Sequence, residues 1–211
     1  MASLRMDTWA MDTDAQLDRL ATVLDSPRMR GIELAPPHQH CRMDDMRFEP
    51  LWMLAASKST PVYVHTGSTP FPGARTEPPY TDPTYMEQAV RWYPGTQFIL
   101  GHVGYDFLEK ELGYLNDCLD LAEANENVWL EASALGSASS DPEGTNYAIV
   151  LRRIKARGLV ERLIYGSDGP QRPGFLEDYL QRTVQAMEEA GYTEDEAAAV
   201  LQGNAKRLYD L

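Results

Sequence analysis

Three apolar runs in this chain end alike. Pro61-Val62-Tyr63-Val64-His65-Thr66-Gly67 and Phe98-Ile99-Leu100-Gly101-His102-Val103-Gly104 each lead a short β-forming stretch into a histidine and then a glycine. Leu163-Ile164-Tyr165-Gly166-Ser167-Asp168-Gly169-Pro170 leads a third into an aspartate and a Gly-Pro turn. Continuous apolar runs of this length read as strands buried on both faces, as in a parallel sheet. Parallel neighbours deliver their last residues to one end of the sheet, so His65, His102 and Asp168 are expected to converge there. Two imidazoles and a carboxylate are ligands for a first-row metal, and equally the parts of a general acid/base site.

Around these runs, strand and helix signals alternate along the whole chain. Residues 2–5 read as a strand end, and Asp12-Thr13-Asp14 offers capping oxygens to a helix with Leu17, Leu20, Val23 and Leu24 on one face. Gly31-Ile32-Glu33-Leu34-Ala35 is a second strand, followed by a loop from Pro36 to about Phe48 and a helix opening near Pro50. After the His65 strand comes a long loop stiffened by Pro70, Pro72, Pro78 and Pro79, suited to a lid or substrate-binding role, and then a helix from about Pro83 to Trp92. The His102 strand precedes a helix expected to carry Leu108, Leu112, Leu115, Leu119 and Ala122 on one side. Asn127–Ser133 is the fifth strand, and its helix runs from about Thr145 to Arg157, stopped by Gly158. The helix after Asp168 carries Leu176, Leu180, Val184 and Met187 along one stripe, and Thr193 with Glu196 has capping-box spacing for a closing helix.

Six such β/α units predict an α/β fold with a parallel sheet, either open and doubly wound or closed as a barrel. No GxGxxG follows a strand and no GxxxxGK[ST] is present, so the nucleotide-binding signatures of the doubly wound class are missing. Functional-looking residues at the ends of several different strands favour a (β/α) TIM-barrel-type sheet. A full barrel needs about 250 residues, so 211 residues predict an incomplete barrel of about six units, in a single domain over 1–211.

The net charge of −13 disfavours nucleic acid and anionic membrane as partners. No run approaches the roughly 20 apolar residues of a membrane span and the N-terminus lacks a signal-peptide pattern, so a cytoplasmic protein acting on a small-molecule substrate is expected. Cys41 and Cys118 are too few for a disulfide framework and are expected to be reduced. An incomplete barrel leaves an open sheet edge, which predicts self-association, as a homo-oligomer, or a partner subunit.

Further site candidates follow from placement. Glu33 is an ionisable group inside a short strand, which is costly unless it is paired or faces a polar cavity. His38 and His40, in Pro36-Pro37-His38-Gln39-His40-Cys41, lie just past a strand end on the face of the expected site, where they could contact substrate or metal. Arg75, Arg91, Arg152 and Arg172 are candidate clamps for a substrate carboxylate, with Arg172 best placed after the Asp168 turn.

The ordered set PVYVHTG, FILGHVG, VWLEAS, RLIYGSDGP and LQGNAKRLYDL resembles the amidohydrolase-related family, the metal-dependent TIM-barrel hydrolases and decarboxylases of the amidohydrolase superfamily, over roughly residues 15–211. The resemblance implies that His65, after the fifth barrel strand, is a metal ligand, and that His102, after the sixth, orients or deprotonates the attacking water or ligates in turn. It further implies that Asp168, after the eighth, binds metal and shuttles the proton, and that Glu33 falls near a bridging position on the fourth strand. The implied ion is zinc or manganese, and the implied reaction is hydrolysis of a small carboxylated or cyclic substrate by a metal-activated water. Decarboxylation, metal-independent lactone hydrolysis and an inactive fragment or binding module are the alternatives. Family members open with a His-x-His pair on the first strand, whereas no histidine precedes Gly31 here. By alignment of units the chain begins near the third strand.

Overall fold

A computed structural model describes residues 2–3 and 13–211. It contains one parallel sheet of six strands: β1 (Ala2–Ser3), β2 (Ile32–Leu34), β3 (Val62–His65), β4 (Phe98–Gly101), β5 (Val128–Glu131) and β6 (Leu163–Ile164). The strands lie side by side in chain order, without the reversal that marks a doubly wound sheet, so the order is that of a barrel wall. No pairing joins β1 to β6 among the described residues, and the barrel is not closed.

Register divides every strand into two faces, because successive side chains alternate. The row Leu34, Val64, Leu100, Leu130 and Leu163 points toward the helices, with Ile32, Val62, Phe98 and Val128 one step earlier. The other face carries Glu33, Tyr63, Ile99 and Trp129 in one layer and His65, Gly101, Glu131 and Ile164 in the next. One sheet therefore separates an apolar core from a concave face that turns polar toward its C-terminal end.

The helices are α1 (Thr13–Leu24), α2 (Pro36–Gln39), α3 (Glu49–Ser57), α4 (Pro78–Thr81), α5 (Glu87–Trp92), α6 (Leu115–Ala124), α7 (Thr145–Ala156), α8 (Phe175–Glu189), α9 (Glu194–Ala198) and α10 (Asn204–Tyr209). Thr193 and Glu196 form the expected capping box at α9. Gly158 and Gly191, at φ 68° and 76°, follow the ends of α7 and α8. The expected cap at Asp12 and the strand residues 4–5 lie outside the described residues. Both cysteines are free, as expected, and both are buried; burial pushes the Cys41 thiol up to about 12. No helix among the described residues is long and apolar enough to cross a membrane.

Three helix expectations need correction. The helix after His102 starts only at Leu115. Leu108 is exposed in a loop where Asp106 bridges Glu111, with Lys110 and Gly113 at φ 58° and 42°, left-handed values that no helix can absorb. On α8 three residues of the predicted stripe, Leu176, Leu180 and Val184, face outward; the fourth, Met187, is buried as expected, beside Phe175, Tyr179, Thr183 and Ala186. The Tyr179 hydroxyl reaches the Ala132 carbonyl at 2.7 Å, which fixes that rotation of the helix. On α1, Leu20 and Leu24 are buried but Val23 is exposed.

The C-terminal segment covers the open side. Asn204 donates to the Val160 and Leu163 carbonyls at 2.8 and 2.7 Å, and the Tyr165 amide donates to Val200 at 3.1 Å, so edge strand β6 is met by a helix where a further strand would pair. Leu208 joins Ile99, Trp129 and Ile164 in a small second core on the concave face. The Arg207 guanidinium lies over the Trp129 ring at 5.4 Å.

Candidate active site

The ends of β3 and β4 are stitched together by one side chain. Thr66 donates from Oγ1 to the Gly101 carbonyl at 2.7 Å and accepts from the Gly104 amide at 2.9 Å. His102, Val103 and Gly104 then turn through three successive left-handed positions, φ 61°, 45° and 71°. A β-branched residue is strained there. Val103 is fully buried, and its packing holds the turn that lifts His102 off the strand.

His65 and His102 are brought together as the sequence predicts. Their ring centroids are 4.5 Å apart, and the His38 ring stands edge-on to His65 at 5.5 Å. Burial, reinforced by the two neighbouring histidines, holds His65 well below the usual imidazole range, and burial likewise lowers His38. The His65 Nε2 faces the Ser68 carbonyl at 3.4 Å. Asp168 follows β6 at φ 56° and is exposed at the rim, its backbone carbonyl accepting from Gln171 at 3.1 Å.

Glu33, His38, His65, His102 and Asp168 all line one open cavity of about 590 Å³ at the C-terminal end of the strands. His40 does not join them. Residues 36–39 form the one-turn helix α2 rather than a loop, and His40, its left-handed cap at φ 51°, bonds the Gly73 carbonyl at 2.7 Å. Arg172 also stands apart, paired with Asp178 at 2.8 Å, and Arg75 and Arg91 pair with Glu77 and Glu87. No lysine or arginine is among the described residues lining the cavity, whereas Glu33, Glu131 and Asp168 are. The loop after β3 contributes Thr69, Pro70 and Phe71 to the lining, and Phe71 packs on His38 at 5.3 Å.

Sequence reasoning passes over Tyr63, Glu131 and Ser133. Glu131 is fully buried and burial raises its carboxyl, yet its Oε2 receives the Ser133 hydroxyl at 2.9 Å, the Tyr63 hydroxyl at 3.2 Å and the His102 amide at 3.4 Å. A signal for them exists: Glu131 is an acid inside an apolar strand, as Glu33 is, and Tyr63 lies two residues before His65 on the same face.

The residues present do not fit the implied divalent ion in this arrangement. Among the described residues no three His, Cys, Asp or Glu side chains are gathered as a ligand set. Both ring nitrogens of His102 have protein partners, Ser133 at Nδ1 and Tyr63 at Nε2.

The amidohydrolase family profile matches residues 7–211, nearly the whole chain. This chain belongs to the amidohydrolase family. The solved structures it resembles agree in fold. A TIM-barrel protein from Bordetella bronchiseptica superposes with a TM-score of 0.66 at 18% identity, covering 92% of this chain and 60% of that one. A 5-carboxyvanillate decarboxylase from Sphingomonas paucimobilis gives a TM-score of 0.64 at 16% identity over 98% of this chain and 70% of that one. The 2,6-dihydroxybenzoate decarboxylase from Rhizobium gives 0.65 at 16% identity over 100% and 70%. No curated protein matches the chain. This amidohydrolase thus spans 60–70% of the length of these neighbours, and its described residues form six strands where a full barrel has eight.

Proposed function

We propose that this amidohydrolase hydrolyses a small cyclic ester or amide in the cavity bounded by His38, His65, His102 and Asp168. The observation that carries the reading is the convergence of these four side chains from four different strand ends on one cavity at the C-terminal end of a parallel barrel wall. The cavity is lined by Glu33, Glu131 and Asp168 with no cation among the described residues, which supports the cyclic rather than the carboxylated form of the expected substrate. For the same reason hydrolysis is favoured over the decarboxylation named for two of its neighbours.

In this mechanism Asp168 accepts a proton from water as the water oxygen bonds to the ring carbonyl carbon. The ring C–O or C–N bond breaks, and the leaving atom takes that proton. His102 and Tyr63 line the cavity beside the substrate, and the neutral His65 and His38 rings complete the wall. A panel of lactones and cyclic amides, assayed for acid release before and after dialysis against chelator, tests the reading. Turnover that survives chelation and falls about 10²–10⁴-fold in Asp168→Asn is expected. Turnover abolished by chelator and restored by zinc would sink the metal-free form, and turnover unchanged in Asp168→Asn would sink the site assignment. The exposed α8 stripe supports self-association, which sedimentation at two concentrations tests.

A further inference from the structure

Four side chains near the ends of β3, β4 and β5 form a closed ring of polar contacts. His102 Nε2 meets the Tyr63 hydroxyl at 3.2 Å, and that hydroxyl reaches Glu131 Oε2 at 3.2 Å. The same oxygen accepts from the Ser133 hydroxyl at 2.9 Å, and Ser133 Oγ returns to His102 Nδ1 at 3.1 Å. The Ser133 carbonyl lies at 3.1 Å from Nδ1 as well.

Two glycines make room for it. A Cβ on Gly101 would stand 2.1 Å from the Tyr63 phenol, and one on Gly166 would stand 1.9 Å from Glu131 Oε1. Each is a contact that real Cβ atoms do not make, so Tyr63 and Glu131 can hold these positions only because residues 101 and 166 carry no side chain.

We propose that Glu131, acting through Tyr63 and Ser133, is the positioning residue that fixes both the orientation and the tautomer of His102, with the hydrogen on Nδ1. A carbonyl oxygen can only accept, so the nitrogen facing Ser133 carries the hydrogen. Nε2 is left with its lone pair toward the Tyr63 hydroxyl, whose single hydrogen lies between two acceptors, Nε2 and Glu131 Oε2. Flipping the imidazole would set ring carbons against the carbonyl and the phenol and would leave both nitrogens without these partners. Glu131 governs this choice because its Oε2 holds the two hydroxyls that touch the ring, together with the backbone amide of His102 itself. A carboxylate that orients a histidine from behind is how many sites select one imidazole tautomer. Here the carboxylate acts through two hydroxyl groups.

The inference rests on His102 being a working group of the cavity, but its test needs no turnover. Protein labelled with 15N-histidine is examined at neutral pH by long-range ring correlation, with His102 assigned by its loss in His102→Ala. In the wild type a single tautomer with hydrogen on Nδ1 is expected. Tyr63→Phe, which removes one oxygen and keeps the ring over Gly101, is expected to shift the Nε2 resonance. Glu131→Gln is expected to give mixed tautomers, and Glu131→Asp to recover part of the wild-type pattern. A wild-type His102 with hydrogen on Nε2, or ring resonances unchanged in Tyr63→Phe, would overturn the proposal. The wild-type and Tyr63→Phe spectra decide it even if Glu131→Gln fails to fold. Absence of turnover on both the lactones and the cyclic amides alongside the expected spectra would instead overturn the proposed reaction and leave the positioning role standing.

Discussion

The two sides of the cavity carry comparable residues in unlike settings. On the side of β3 to β5, His102 is buried, both its ring nitrogens are engaged, and its backbone turn is pinned through Thr66 to the neighbouring strand. On the side of β6, Asp168 sits at the rim in an exposed turn held by local hydrogen bonds, Gly169 to Ser167 and Gln171 to the Asp168 carbonyl. One side is fixed by partners from three strands, the other by its own turn. A site built this way holds its histidines in place while the acid stays within reach of solvent and substrate.

If that contrast is correct, crowding the fixed side is the costliest change. Gly101→Ala drives a methyl into the Tyr63 phenol, and overpacking of this kind is expected to lower unfolding free energy by about 1–3 kcal/mol in urea denaturation. A loss under about 0.5 kcal/mol would mean that Tyr63 moves aside freely and the ring around His102 is loose.

The pH dependence sharpens the same point from the side of His65. Its imidazole is held well below 6.5 by burial, so under acid conditions the unfolded chain binds a proton that the folded chain does not. That stability is fully present above about 6.5 and is lost as pH falls, with a slope approaching 1.4 kcal/mol per pH unit. Glu131 works in the opposite sense: its raised carboxyl favours the fold below 4.5 and loses that contribution as pH rises. The difference between wild type and His65→Gln isolates the histidine, and identical acid slopes in the two proteins would show that His65 titrates freely.

The smallest effect belongs to the open side. Asp168→Asn keeps the shape of the side chain in a left-handed position that asparagine tolerates, and its stability is expected to stay within about 0.5 kcal/mol of wild type. A larger loss by thermal melting would show that the rim acid is structural, and the contrast between the two sides would fail.

Part of this arrangement is legible in the chain itself. Strand–histidine–glycine punctuation alone places His65 and His102 together, and the capping box at Thr193 needs only residues three apart. The α8 stripe shows the limit of such reading. Leu176, Leu180 and Val184 have helical spacing, but so do Phe175, Tyr179, Thr183 and Ala186, and composition cannot say which face meets the sheet. His40 escapes the reading because a one-turn helix that opens on two prolines redirects it toward Gly73.

The sequence by itself determined the order of strands and helices, the alternation that gives each strand an inner and an outer face, and the end of the sheet at which the site lies. These follow from interactions within a few residues, where periodicity and turn chemistry operate. The tertiary structure alone decided that Tyr63, Glu131 and Ser133 enclose His102, that Arg172 is spent on Asp178, and that α10 closes over Trp129 and Ile164. Most of those partners join separate β/α units, tens of residues apart in the chain. Their meeting is fixed by strand register and by the space left at Gly101 and Gly166, neither of which has a local signature.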